Sequence, residues 1–128
     1  MNYCVHIFLF RKKVLLLKRS KKNNFFPSIW TPIIGKIKEK EIPEKAVIRE
    51  TIEETSLNLS NNISFYGKEK YNNDTYWFYY SKYDNNFPTL ELNHENEDYD
   101  FFDVHDLPNT LWVLFRNKIR ILSSQFTY

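Results

Sequence analysis

Glu50, Glu53 and Glu54 stand at i, i+3 and i+4 in the chain. On a helix that spacing gathers them within roughly 100° of arc, on one face. Carboxylates so close repel one another unless something neutralises them, and hard divalent ions such as Mg²⁺ take oxygen ligands of this kind. Arg49 lies one turn before Glu53 and can pair with the cluster. Taken alone, the trio equally describes a solvated helix face, because surface helices carry many charges. Val47, Ile48 and Ile52 offer the same segment an apolar side for packing.

The wider spacing decides between these readings. Gly35, Glu41, Arg49-Glu50 and Glu53-Glu54 follow the order Gly, five residues, Glu, seven residues, Arg-Glu, two residues, Glu-Glu. At ~5–7% usage per residue type, chance yields that order on the order of once in 10⁷ start positions. It is the Nudix box, and over 23 residues from Gly35 to Leu57 the chain resembles the Nudix hydrolase family. The resemblance implies an α/β fold, a Nudix-type α/β/α sandwich with a mixed β-sheet. It implies that Glu50, Glu53, Glu54 and the Gly35 carbonyl hold Mg²⁺, with Mn²⁺ as a substitute. Arg49 would orient the carboxylates and Glu41 would pair with it. Such a cation neutralises a diphosphate and polarises its P–O bonds, while a basic carboxylate takes a proton from water. Two positions depart from the family pattern. Ser56 stands where glycine usually gives a left-handed cap, at a cost of about 1 kcal/mol. Thr51 stands where a bulky apolar residue is usual.

Substrate choice is less sharply written. Trp30-Thr31-Pro32 before the box and His94-Glu95 with Tyr99 after it are similar to asymmetrical diadenosine tetraphosphate hydrolases. By that likeness Glu95 is an outlying metal ligand or base, with Glu97 and Asp98 as competitors and a solvated acidic loop as the plain alternative. The Trp-x-Pro start also resembles nucleoside-triphosphate and dihydroneopterin-triphosphate pyrophosphohydrolases. Ile34 stands where the tetraphosphate hydrolases usually carry lysine. Trp30, Tyr76, Tyr99 and Phe26 could stack on a base, each worth ~1–3 kcal/mol. With 9 Tyr, 11 Phe and 3 Trp in the chain, most aromatics must serve packing instead. Lys18, Arg19, Lys21, Lys22 and Lys36 could meet phosphates, and Lys36, inside the box, is the strongest of them.

These residues need a frame. Tyr3–Phe10 and Val14–Lys18 are rich in β-formers and flank a polar turn, which predicts a hairpin. Ser20–Ser28 is a loop, and Pro32–Lys38 is extended around Gly35. Pro43 suits a first helical turn, and the helix runs to about Thr55. Ile63–Lys70 and Asp74–Tyr83 form a second hairpin, Asp84–Pro88 a loop, and Tyr99–Asp103 a short strand. Asn109 or Thr110 would cap a last helix bearing Leu111, Leu114, Phe115, Ile119 and Leu122 on one side. The order β-β-β-α-β-β-β-α predicts a mixed sheet between helices, not a parallel doubly wound one. His6 falls on a strand and His105 in a turn, and neither has a ligand-spaced partner.

Length and composition bound the rest. The 128 residues, 42% hydrophobic, make one domain, residues 1–128. A single cysteine, Cys4, excludes an internal disulfide and a cysteine-built zinc site, which fits a reducing, cytoplasmic setting. No apolar run approaches the ~18–20 residues of a membrane span, so no membrane partner is expected. The formal net charge of +2 counts against a nucleic-acid coat, although Arg11–Lys22 is basic. The expectation is therefore an Mg²⁺-dependent pyrophosphohydrolase that cleaves a P–O–P bridge in a nucleoside diphosphate derivative. A nucleotide-type small molecule is its substrate, foremost a nucleoside or dinucleoside polyphosphate. The alternatives are a non-catalytic nucleotide-binding sensor on the same scaffold and an RNA 5′-end pyrophosphohydrolase. Nothing in the sequence fixes an oligomeric state.

Overall fold

A computed structural model describes residues 1–24, 26–84 and 89–126. Among these, the strands are β1 (Asn2–Phe10), β2 (Lys13–Arg19), β3 (Trp30–Thr31), β4 (Ile33–Lys36), β5 (Ser64–Tyr71), β6 (Asp74–Tyr83) and β7 (Asn96–Asp103). The helices are α1 (Pro43–Thr55) and α2 (Val113–Ser123). The extended segment expected over Pro32–Lys38 holds β4, and a separate short strand, β3, which the sequence pattern did not resolve, precedes it. Of the loop expected over Asp84–Pro88, all but Asp84 lies outside the described residues.

The sheet is mixed. Its path runs β3-β2-β1-β6-β5, with β4 on β1 and β7 on β2. β1 runs parallel to β6 along its whole length, Asn2 opposite Thr75 through Phe10 opposite Tyr83. β1 changes its other partner midway: Tyr3–His6 pair with β4, and Leu9–Phe10 pair with β2. The β1–β2 and β5–β6 hairpins are both present. The second closes through Asn72 and Asn73, both at positive φ, the conformation that a two-residue turn needs and that asparagine tolerates.

Side chains alternate across β1 and so divide the molecule into two layers. Val5, Ile7 and Leu9 join Val14, Leu16 and Phe78 beneath Phe115, Ile119 and Leu122 of α2. Cys4, Ala46, Val47 and Tyr79 pack on the other face, under α1. Phe8, Phe10, Leu15, Leu17 and Ile33 extend that second layer. The expected α/β/α sandwich with a mixed sheet is what forms.

Two expectations about the helices need correction. α1 does not bury Ile52, which is 41% exposed; it buries Ala46, Val47, Glu50, Thr51, Glu54 and Thr55. The helix turns one edge of its acidic stripe toward the sheet. Neither Asn109 nor Thr110 caps α2, which starts at Val113 after Trp112 with no side-chain cap. The Thr110 hydroxyl instead accepts from the Trp30 N–H at 3.4 Å.

Candidate active site

The box helix is set by its ends. Pro43 occupies the first turn, with Glu44 beside it at the positive end of the dipole. Ser56 closes the helix at φ 66°, its N–H donating to the Ile52 carbonyl at 2.9 Å. Gly35, on β4, lies against the helix. A Cβ built there would stand 2.1 Å from the Glu50 carboxyl carbon, so only glycine leaves that carboxylate its place.

Arg49 holds the outer side of the site. Its Nε and one terminal nitrogen donate to the two Glu41 oxygens at 2.8 and 2.9 Å, a bidentate pair. The other terminal nitrogen reaches Glu50 at 2.8 Å and Glu53 at 3.3 Å. The Lys36 carbonyl accepts a further bond at 3.1 Å. The Arg49 guanidinium holds the Glu41 carboxyl down at about 2, while its own proton is held more tightly.

The inner side is a converging set of acids. One carboxylate oxygen each from Glu50, Glu54 and Glu95 lies within 4.8 Å of the other two. Glu54 is fully buried, and its Oε2 has no hydrogen-bond partner. Its Oε1 accepts from Asn96 Nδ2 at 3.1 Å and from Arg19 at 3.4 Å. Arg19, 3% exposed at the end of β2, also lies 3.8 Å from Glu95. Burial pushes the Glu54 carboxyl well above its ordinary range, the Glu50 charge adds to this, and Arg19 and Asn96 oppose it. Burial likewise raises Glu50, against the pull of Arg49. An orphaned buried oxygen amid three hard oxygen donors fits a divalent cation such as Mg²⁺ or Mn²⁺, which would replace protons there.

The remaining sequence candidates separate by sheet face. Glu53 is half-exposed, bound to Arg49 and outside the converging trio. Glu97 pairs with Lys18 at 3.6 Å and, with Asp98, belongs to β7, so of the three competitors only Glu95 joins the acids. Tyr76 is a correction: it is buried in the α2 layer, stacked on Tyr3 at 5.2 Å, and its ring serves packing. Trp30 also packs in that layer, edge-on to Phe102 at 5.0 Å, across the sheet from the carboxylates. Phe26 joins it, near Trp112. Tyr99, opposite Leu17, keeps a partly exposed ring. Lys36 is exposed beside the site.

Two supporting residues were not assigned their roles from sequence. Arg19 was grouped with the phosphate-facing basic residues, and Asn96 was not singled out. Behind the helix, His6 is wholly buried between the hydroxyls of Thr51 and Ser81, each 2.7 Å from a ring nitrogen. Burial lowers it to about 3, so the ring is neutral and joins α1 to β6. Cys4 is buried, its thiol pushed up by burial, and it donates to the Gly35 carbonyl at 3.6 Å.

A mixed sheet between two helices, with an Arg-Glu-x-x-Glu-Glu helix turned against a glycine strand, is the architecture of a NUDIX domain. The chain belongs to the NUDIX domain family, whose model matches residues 2–121. Over 48 residues it is 48% identical to the m7GpppN-mRNA hydrolase NUDT17 of Xenopus laevis. That match covers 38% of this chain and only 16% of the frog protein's length. The NUDIX domain of Shewanella oneidensis NrtR, solved with ADP ribose, superposes with a TM-score of 0.82 at 19% identity, covering 99% of this chain and 88% of that one. A C. elegans Ap4A hydrolase binary complex gives 0.73 at 21% identity, with 96% of each chain covered. The likeness to these two structures is one of fold.

Proposed function

We propose that the protein is a divalent-cation-dependent pyrophosphohydrolase of nucleoside or dinucleoside polyphosphates. The observation that carries this reading is the convergence of Glu50, Glu54 and Glu95 around an unpaired, buried carboxylate oxygen. Glu50 and Glu54 would hold the cation from α1, Glu95 from the segment before β7, and the Gly35 carbonyl from β4. Glu53 extends the row toward solvent. The cation, when bound, neutralises the diphosphate and polarises its P–O bonds. Arg49 keeps Glu50 and Glu53 oriented by anchoring on Glu41. Arg19 and Asn96 keep Glu54 aimed inward. Water adds to phosphorus, the bridging P–O bond breaks, and its electron pair leaves with the departing phosphate. The proton of the water passes to a carboxylate of the site.

Two structural relatives are described with ADP ribose and as an Ap4A hydrolase, which supports a nucleotide-type substrate. The frog relative is described as an mRNA hydrolase, so an RNA 5′ end remains in the test. The intact acidic set argues against a silent sensor. The test is a panel assay with Mg²⁺: nucleoside triphosphates, diadenosine polyphosphates, ADP-ribose, dihydroneopterin triphosphate and 5′-triphosphate RNA, with products separated by chromatography. Turnover of a nucleoside or dinucleoside polyphosphate that stops with EDTA is expected. Turnover of RNA alone overturns the substrate assignment, and binding without any turnover overturns the enzymatic one.

A further inference from the structure

A second cavity adjoins the carboxylates. The first, about 210 Å³, is walled by Arg19, Gly35, Lys36 and Glu50. The second, about 320 Å³, is walled by Ser20, Lys22, Asn23, Asn24 and His94. Asn23 and Glu95 line both, so the two adjoin. We propose that this second chamber binds the phosphates of a polyphosphate chain beyond the pair at the carboxylates, so that the substrate carries at least three phosphates in a row. The proposal rests on the pyrophosphohydrolase reading and specifies its substrate.

The chemistry of the walls supports it. Apart from Glu95, each lining side chain can donate a hydrogen bond: a hydroxyl, an ammonium, two amides and an imidazole. The described residues that line the chamber include no Phe, Tyr or Trp. Trp30 and Tyr76, which could have stacked on a base, lie in the α2 layer. Hydrogen-bond donors gathered around a small space suit oxyanions, and an ammonium strengthens such bonds.

The frame is tied to the cation site at one residue. The Glu95 carbonyl accepts from the Ser20 N–H at 2.9 Å and from Asn23 Nδ2 at 3.3 Å. The Asn23 N–H donates to the Ser20 carbonyl at 3.1 Å, and the Lys22 N–H to the Ser20 hydroxyl at 3.3 Å. The Glu95 backbone therefore fixes the donor loop while its carboxylate belongs to the acids. A chain of phosphates leaving the cation would pass directly from the acidic cavity into the donor cavity.

The test uses Lys22→Ala, His94→Ala and the double variant; both side chains are exposed, so thermal melts should match the parent. Calorimetric titration compares magnesium tripolyphosphate with magnesium pyrophosphate. Tripolyphosphate affinity should fall about tenfold or more in the double variant, the worth of one charge-assisted bond. Pyrophosphate affinity should fall less than twofold. In turnover, KM for ATP should rise about tenfold relative to KM for ADP-ribose, and a 5′-triphosphate oligonucleotide should follow ATP if the chamber recognises phosphates alone. Equal weakening of both inorganic ligands, or no weakening of tripolyphosphate, overturns the proposal. Selective weakening in a protein without turnover upholds the chamber and removes the catalytic reading.

Discussion

Replacing Gly35 by alanine puts the geometry of the site to a direct test. The added Cβ would sit 2.1 Å from Glu50 Cδ, 2.4 Å from its Oε2 and 2.5 Å from its Cγ. Carbon atoms in contact need about 3.5 Å, so the Glu50 carboxyl must retreat by roughly 1.4 Å. The carboxylate is the free end of its side chain, and it can move only by giving up its 2.8 Å bond to Arg49 or by displacing the strand. Overpacking of this kind destabilises by about 1–3 kcal/mol, which leaves the protein folded. The chemistry should suffer far more, since a displacement near 1 Å in a catalytic array lowers rates on the order of 100-fold. The assays are Mn²⁺ binding by electron paramagnetic resonance, thermal melting and kcat on the best substrate of the panel. Weakened Mn²⁺ binding and a roughly 100-fold lower kcat in a folded protein are expected. An alanine variant that binds Mn²⁺ and turns over within twofold of the parent would refute the placement of Glu50 against Gly35.

Other expectations follow from the same contacts. Arg49→Lys keeps the charge but loses the bidentate grip on Glu41, so kcat should drop by at least tenfold with the far-ultraviolet spectrum unchanged. The raised Glu54 carboxyl binds its proton more tightly folded than unfolded, so its contribution to stability falls as pH rises above its ordinary 4.5. Measured without divalent cations, the parent should lose stability relative to Glu54→Gln as pH climbs from 5 to 8, and a flat difference in Tm would contradict the buried placement. Ser56→Gly relieves a left-handed serine at φ 66° and should raise the urea midpoint, by up to about 1 kcal/mol of stability.

The box helix was legible almost to the residue, because Pro43 and the Glu spacing are local signals. The β5–β6 hairpin was legible for the same reason, through Asn72-Asn73. The orientation of the helix was not. Pattern reading assigned Ile52 inward on hydrophobicity, whereas the sheet edge offers Arg19 and Asn96 as partners for Glu54, and that interaction turns the acidic edge in. Those two partners sit at strand ends joined only by the β2–β7 pairing, which no spacing announces. Trp30 and Tyr76 were plausible stacking residues until strand parity put both in the α2 layer. Resemblance singled out Glu95, and of Glu95, Glu97 and Asp98 it is the one whose carboxylate lies beside those of Glu50 and Glu54.

The pairing of β1 with β6 has a kinetic consequence. Asn2 meets Thr75, and β2 meets β7 from Lys13 opposite Asp103 onward, so the sheet closes over long stretches of chain. Contacts so distant in sequence form late, after the local hairpins and the box helix. Arg19, Glu54 and Glu95 come from three segments that only this closure unites. An intermediate with its hairpins and helix formed would still lack the trio. Divalent cations should therefore leave the refolding rate unchanged and slow unfolding, because they grip only the finished sheet.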